Sequence, residues 1–129
     1  MPDDLARLAT AKYMLLTTFR KNGTAVPTPV WVARDGDELV LTTTPNAGKV
    51  KRIHSGDGAV RVAPCTMRGK PTGAEVPAHA RLLDATDVRH VQRLIARKYW
   101  LLGRVGLWNS QLRRNAGPGA IAIKLDQPS

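Results

Sequence analysis

The first third of the chain alternates short apolar runs with turn residues, a pattern that predicts β-strands. Tyr13–Phe19 is dense in strand-forming side chains, and an Asn-Gly pair soon after it favours a tight turn. Residues 24–33 continue as the second arm of a hairpin, and an Asp-Gly pair then predicts a second turn into a strand at Glu38–Thr43. We therefore expect these three strands to form a meander.

The rest of the chain adds further strands and amphipathic helices to this meander. A short helix carrying Leu5 and Leu8 and ending near Thr10 is expected before the first strand. Further predicted elements are a helix at residues 49–54, strands at residues 59–64, 76–83 and 120–125, a helix at residues 86–99 with Val88, Val91, Ile95 and Leu102 on its apolar face, and a second helix through Leu107, Trp108 and Leu112. The pattern predicts a mostly antiparallel barrel with its Arg-rich helix face outward, in a single domain over residues 1–129.

Two prolines interrupt the second predicted strand. Pro27 and Pro29 have no backbone N–H to donate to a neighbouring strand. They suit an edge or bulged strand, or one whose outward side faces a ligand.

The strongest functional signal is the junction between the Glu38–Thr43 strand and the following helix. Pro45 stops the strand, Asn46 is a good N-cap, and the helix start carries Lys49, Lys51 and Arg52. Cations at a helix N-terminus oppose the helix dipole by roughly 0.3–1 kcal/mol each, and a bound anion reverses that penalty. The junction therefore predicts a phosphate-binding corner. The alternative is a solvated basic helix that tolerates a poor dipole match.

Composition is consistent with an anionic ligand without identifying it. The 129 residues carry a formal charge of +10, which attracts nucleic acid, an acidic membrane surface or a phosphorylated small molecule. No leader or membrane-spanning run is evident, so we expect a cytoplasmic protein with no membrane partner. Cys65 is the single cysteine and shares no metal-ligand spacing with the histidines, so no metal site is expected.

Several chemically capable residues are better explained by structure than by function. Cys65 is expected in the core, and His54 and His79 are expected to be structural. No Ser-His-Asp or Cys-His set and no carboxylate pair stands out, so the catalytic residues are unassigned. If the protein is an enzyme, its redox chemistry must come from a bound cofactor.

Three segments carry a resemblance to a known family. They are Tyr-Met-Leu-Leu-Thr-Thr-Phe-Arg-Lys-Asn-Gly at residues 13–23, Pro-Thr-Pro-Val-Trp at residues 27–31 and Gly-Lys-Val-Lys-Arg-Ile at residues 48–53. They resemble the pyridoxamine 5′-phosphate oxidase-like (PPOX class) split β-barrel flavoproteins, and within them the actinobacterial reductases that use deazaflavin coenzyme F-420. The resemblance implies a mainly β split barrel of about six antiparallel strands with short peripheral helices.

The resemblance also implies a cofactor site at a homodimer interface and a small-molecule substrate that accepts hydride. The residues that it implies contact the cofactor are Pro29, Val30 and Trp31 facing the ring, Thr43 and Thr44 at the strand end, and Lys49, Lys51 and Arg52 on the phosphate. The phosphodiester and polyglutamate tail of F-420 make it more anionic than FMN, so the charge of +10 favours F-420, with FMN as the alternative. The C-terminal segment lacks the Trp, Arg and His of the pyridoxamine phosphate oxidases, which argues against that substrate.

Two other classes of function remain open at this point. A basic nucleic-acid-binding module would explain the charge, but it is disfavoured because the chain has few aromatic residues for base stacking and no known reader motif. A cofactor carrier without turnover is also compatible with the sequence.

Overall fold

The computed structural model describes residues 4–43, 48–101 and 119–126, and gives only the backbone of Lys49, His54, Ser55, Trp100 and Leu101. Within these residues the chain forms three helices and seven strands. In chain order they are α1 (Asp4–Thr10), β1 (Tyr13–Phe19), β2 (Ala25–Val30), β3 (Ala33–Asp35), β4 (Glu38–Thr43), α2 (Gly48–Ser55), β5 (Ala59–Cys65), β6 (Val76–Leu82), α3 (Ala85–Leu101) and β7 (Gly119–Leu125).

All seven strands belong to one antiparallel sheet in the order β2-β1-β5-β6-β7-β4-β3. Its two edge strands, β2 and β3, are consecutive in the chain and are separated only by Trp31 and Val32. The sheet must therefore curl until its edges approach each other. The result is a split barrel, as predicted, with the seam between β2 and β3.

The break between β2 and β3 departs from the predicted single arm at residues 24–33 and raises the strand number from about six to seven. The backbone of Val32 is hydrogen-bonded to side chains of α3 and not to a neighbouring strand. The Val32 N–H donates to the Tyr99 hydroxyl at 3.0 Å, and its carbonyl accepts from the Lys98 ammonium at 2.6 Å. Each half of the arm forms a predicted hairpin, β2 with β1 and β3 with β4. As expected from Pro27 and Pro29, β2 is an edge strand.

The core has two layers, one on each face of the sheet. The inner layer fills the barrel, and it includes Leu8 of α1 and Ile53 of α2. The outer layer lies between the sheet and α3, through Val88, Val91 and Ile95 as predicted. Since each step across the sheet reverses strand direction, β1 and β4 run the same way and both end beside α2. We call this the α2 end of the barrel.

Most predicted elements lie where the sequence pattern placed them. The α3 helix is longer than the short helices expected, at 17 residues, and its Arg89, Arg93 and Arg97 are exposed as predicted.

Cys65 is buried in the outer layer, and burial raises the pKa of its thiol to about 11, as befits a core residue. His79 is exposed, with Nδ1 at 2.5 Å from Asp126 Oδ1, and the side chain of His54 lies outside the described residues. Leu102 and the helix predicted through Leu107, Trp108 and Leu112 lie outside the described residues.

Lys98 is half-buried, unlike the exposed arginines of α3. Its ammonium donates to the carbonyls of Ala11 at 2.8 Å and Val32 at 2.6 Å, and it lies 5.0 Å from the centre of the Tyr99 ring. Burial lowers the pKa of Lys98 to about 8. A neutral amine still has two N–H donors, so it can serve both carbonyls after losing a proton.

We expect Lys98 to make the protein more stable as the pH rises from about 8 to about 10.5. Over this range the unfolded chain keeps the Lys98 proton while the folded chain releases it, so alkaline pH favours folding. Urea unfolding at about pH 7.5 and about pH 10 should show an increase on the order of 1–2 kcal/mol that Lys98→Met lacks. An equal increase in both proteins would assign the effect to another group.

Candidate functional site

The α2 helix closes one end of the barrel and begins with a cationic turn. Ile53 is buried against the inner layer and Val50 packs beside it, so the helix is fixed by its apolar face. No acidic residue lies in its first turn. The positive end of the helix dipole is therefore not offset by a side chain of that turn.

Arg52 brings a further positive charge to this helix start. Its Nε donates to Thr18 Oγ1 of β1 at 2.6 Å, and Thr18 is buried. The side chain folds back toward Gly48, where an added Cβ would lie 2.8 Å from Arg52 Nη1. Glycine at the first position of α2 thus leaves the space that the guanidinium uses.

The start of α2 together with Arg52 and Thr18 forms what we call the Arg52 corner. Its electrostatics favour an anion. Burial, and in second place the nearby Arg20, lower the pKa of Arg52. The helix terminus, the Arg52 guanidinium and Arg20 all raise the positive potential at one place. Backbone N–H groups at a helix N-terminus together with guanidinium donors are a common arrangement for binding phosphate.

A cavity of about 430 Å³ lies at the same end of the barrel. It is lined by Phe19 at the end of β1, by Arg20 and Lys21 after it, and by Gly56, Asp57, Gly58 and Ala59 at the entry to β5. Its volume lies within the usual range for small-ligand sites. Arg20 connects the cavity to the Arg52 corner, because it lines the first and acts on the charge of the second.

The structure describes some of the predicted phosphate-binding residues and not others. Arg52 is half-buried at the helix start, and Lys51 is exposed. Thr43 is buried at the end of β4, which is the same end of the barrel as Thr18. The backbone of Lys49 lies in the first turn of α2, whereas its side chain and the whole of Thr44, Pro45 and Asn46 lie outside the described residues.

The three residues predicted to face the ring have different surroundings. Pro29 is exposed on the outer face of β2, Val30 is buried in the inner layer, and Trp31 is buried in the outer layer. The Trp31 ring stacks on Tyr99 with centroids 4.2 Å apart and planes 10° from parallel. Of these three residues, Pro29 alone has an exposed side chain.

Thr18 and Arg20 belong to the corner but were missed by sequence reasoning. Alternation along β1 places Thr18 on the inward-facing row with Met14 and Leu16, as its last member. The signal available in the sequence was a hydroxyl residue at the end of a row of inward-facing residues that are otherwise apolar. Arg20 follows the strand directly, and nothing local in the sequence relates it to Arg52.

Two negative findings apply to the described part of the chain. No group of three or more His, Cys, Asp and Glu side chains there is arranged to hold a metal ion. None of the described helices has both the length and the hydrophobicity to span a bilayer.

Similarity to solved structures extends over nearly the whole chain. No protein-family model and no curated protein matches the sequence. An F420 reductase superposes with a TM-score of 0.56 and 19% identity, covering 100% of this chain and 98% of that protein. General stress protein 26 from Bacillus anthracis gives 0.61 and 18%, covering 95% and 87%. A Listeria innocua protein described provisionally as a pyridoxamine 5′-phosphate oxidase gives 0.60 and 14%, covering 95% and 90%. At these identities the comparison shows the fold, the split barrel of the pyridoxamine 5′-phosphate oxidase-like proteins.

Proposed function

We propose that this protein is an oxidoreductase that binds coenzyme F-420 at the α2 end of the barrel and transfers hydride between the deazaflavin and a small-molecule acceptor. The observation that carries the proposal is the position of Arg52, held by Thr18 over the glycine that begins α2. This arrangement concentrates positive charge where a phosphate would be stabilised. The similarity in fold to an F420 reductase supports the same cofactor class.

The residues of the corner fit a phosphorylated cofactor. The Arg52 guanidinium and the helix start would hold the phosphodiester, with Lys49 and Lys51 as further cationic contacts. Thr43, buried at the end of β4, and Thr44, the next residue in the chain, would contribute further contacts. The glutamate tail of F-420 would gain from Arg20 and Lys21 along the adjoining cavity. The bound deazaflavin would supply the hydride, and the protein would supply binding and orientation.

The ring would lie along the outer face of β2, against Pro29. Because the side chains of Val30 and Trp31 are buried, their proposed contacts with the ring are through backbone atoms. Phe19, at 36% exposure, lies on this same face of the sheet by register. A second copy of the chain packed there would cover these apolar groups, which supports the proposed homodimer with cofactor sites at its interface.

A cofactor titration tests the proposal. We expect the fluorescence of F-420 to be quenched or shifted at micromolar protein, and Lys49→Ala and Arg52→Gln each to weaken binding by about tenfold or more, the usual scale for a charge-assisted phosphate contact. The matched control is Arg89→Gln, an exposed arginine on α3 at which no change is expected.

Two results of the titration would change the assignment. Tighter binding of FMN than of F-420, with a flavin absorbance spectrum in the purified protein, would assign the site to FMN. Absence of binding by both cofactors at micromolar concentration would contradict the proposal.

A further inference from the structure

A second pocket lies at the end of the barrel opposite α2. It has a volume of about 390 Å³ and is formed where the end of α1, the start of β3 and the last turns of α3 meet. Its lining comprises three apolar residues, the cations of two elements and one hydroxyl: Ala9, Ala33, Leu94, Arg34, Arg97, Lys98 and Thr10. The seven residues of β1 run from one end of the barrel to the other, a length of about 20 Å. This pocket is therefore distinct from the Arg52 corner.

The floor of the pocket is apolar. Ala33 is buried in the outer layer, and Ala9 and Leu94 are half-buried beside it. None of these side chains can accept or donate a hydrogen bond. A ligand that fits here would therefore place a hydrocarbon portion against the floor.

The walls of the pocket are cationic. Arg34 donates through Nε to the Gly36 carbonyl at 2.9 Å, and Arg97 is exposed on α3. No carboxylate lines the pocket among the described residues. The nearest acid in sequence, Asp35, lies 3.2 Å from His90 Nε2 instead. The positive charge at this pocket is thus not offset by an acid of its own lining.

Lys98 adds a cation whose position is fixed. Its ammonium has three N–H donors, and the carbonyls of Ala11 and Val32 accept two of them. Within the described residues no nitrogen or oxygen atom accepts the third, and the face of the Tyr99 ring lies beside the ammonium, with its centre 5.0 Å from Nζ. An anionic group in the pocket would provide one, and it would meet an ammonium that is already immobilised.

We propose that this pocket binds one small amphipathic carboxylate, with its hydrocarbon chain on the Ala9, Ala33 and Leu94 floor and its carboxylate among Arg34, Arg97 and Lys98. The apolar floor selects against small hydrated anions, and the cationic walls select against neutral lipids. This site is independent of the proposed cofactor function, because it shares no residue with the α2 end.

Calorimetric titration of the full chain with octanoate tests the site, with octanol as the neutral analogue. We expect one octanoate to bind per chain and octanol to bind at least about tenfold more weakly, because it lacks the charge. Arg97→Gln and Arg34→Gln should each weaken octanoate binding about fivefold to tenfold. Arg93→Gln changes an exposed arginine of the same helix outside the pocket, and it should leave binding unchanged.

A second readout locates the ligand. Octanoate should shift the methyl resonances of Ala9, Ala33 and Leu94 and leave that of Ala59, at the other end of the barrel, unchanged. Any one of four results would overturn the proposal: no binding at millimolar octanoate, equal binding of octanol, an equal loss of affinity in Arg93→Gln, or methyl shifts confined to other residues.

Discussion

Replacement of Gly58 by alanine is expected to lower the free energy of unfolding by about 3–4 kcal/mol, the largest effect of any single substitution considered for this fold. Gly58 has a φ of 86°, in the left-handed region. An added Cβ would lie 2.6 Å from the backbone oxygen of Ala80, and backbone cannot rotate away as a side chain can. The Ala80 N–H also donates to the Gly58 carbonyl at 2.8 Å, so moving either segment breaks this bond.

Gly23 provides the control for Gly58. Its φ is 88°, nearly the same, but nothing lies within 4 Å of an added Cβ. Gly23→Ala therefore measures the cost of the backbone conformation alone, about 1–2 kcal/mol. Urea unfolding of both variants gives the difference, which is the cost of the clash with β6. If the two variants lost the same stability, the contact between Gly58 and Ala80 would not limit this position.

The second large effect is expected for Tyr99→Phe, at about 2–3 kcal/mol of lost stability. The Tyr99 hydroxyl accepts from the Val32 N–H at 3.0 Å and donates to the Lys12 carbonyl at 2.7 Å, and the side chain is fully buried. Phenylalanine keeps the ring that stacks on Trp31, but it leaves a buried N–H without a partner. The substitution thus isolates the hydrogen bonds that hold the junction of β2 and β3.

Tyr13→Phe is the matched control for Tyr99→Phe. Tyr13 is also buried in the outer layer, but among the described residues its hydroxyl has no hydrogen-bond partner. Removing that oxygen should cost less than about 0.5 kcal/mol or increase stability slightly. Thermal or urea unfolding of both variants makes the comparison. A loss for Tyr13→Phe as large as that for Tyr99→Phe would show that both rings act through packing and not through hydrogen bonds.

The sequence predicted the strands well because their signals are local. Alternation, β-branched residues and glycine turns are each read over a few positions, and β1, β4 and β7 were predicted to within one residue. The break at Trp31 and Val32 was missed because it depends on Tyr99 and Lys98, far along the chain. No local pattern shows that a helix side chain will replace a strand partner.

The candidate site was predictable in its charge and not in its geometry. A helix start bearing Lys49, Lys51 and Arg52 is visible in the sequence as a conflict with the helix dipole. That Arg52 folds back over Gly48 and is held by Thr18 follows only from the packing of α2 across the barrel end. The buried positions of Val30 and Trp31 likewise depend on both faces of the strand being covered.

The position of β7 affects the rate at which the barrel folds and the strand edges that are exposed while it folds. It pairs with β6 on one side and with β4 on the other, so it joins two parts of the sheet that otherwise share no ladder. Its register matches Leu39 with Ile123, a contact between distant parts of the sequence. Such non-local pairing slows folding. Until β7 docks, β4 and β6 each present an unpaired edge, so a growing or refolding chain is open to pairing with other chains at those two strands.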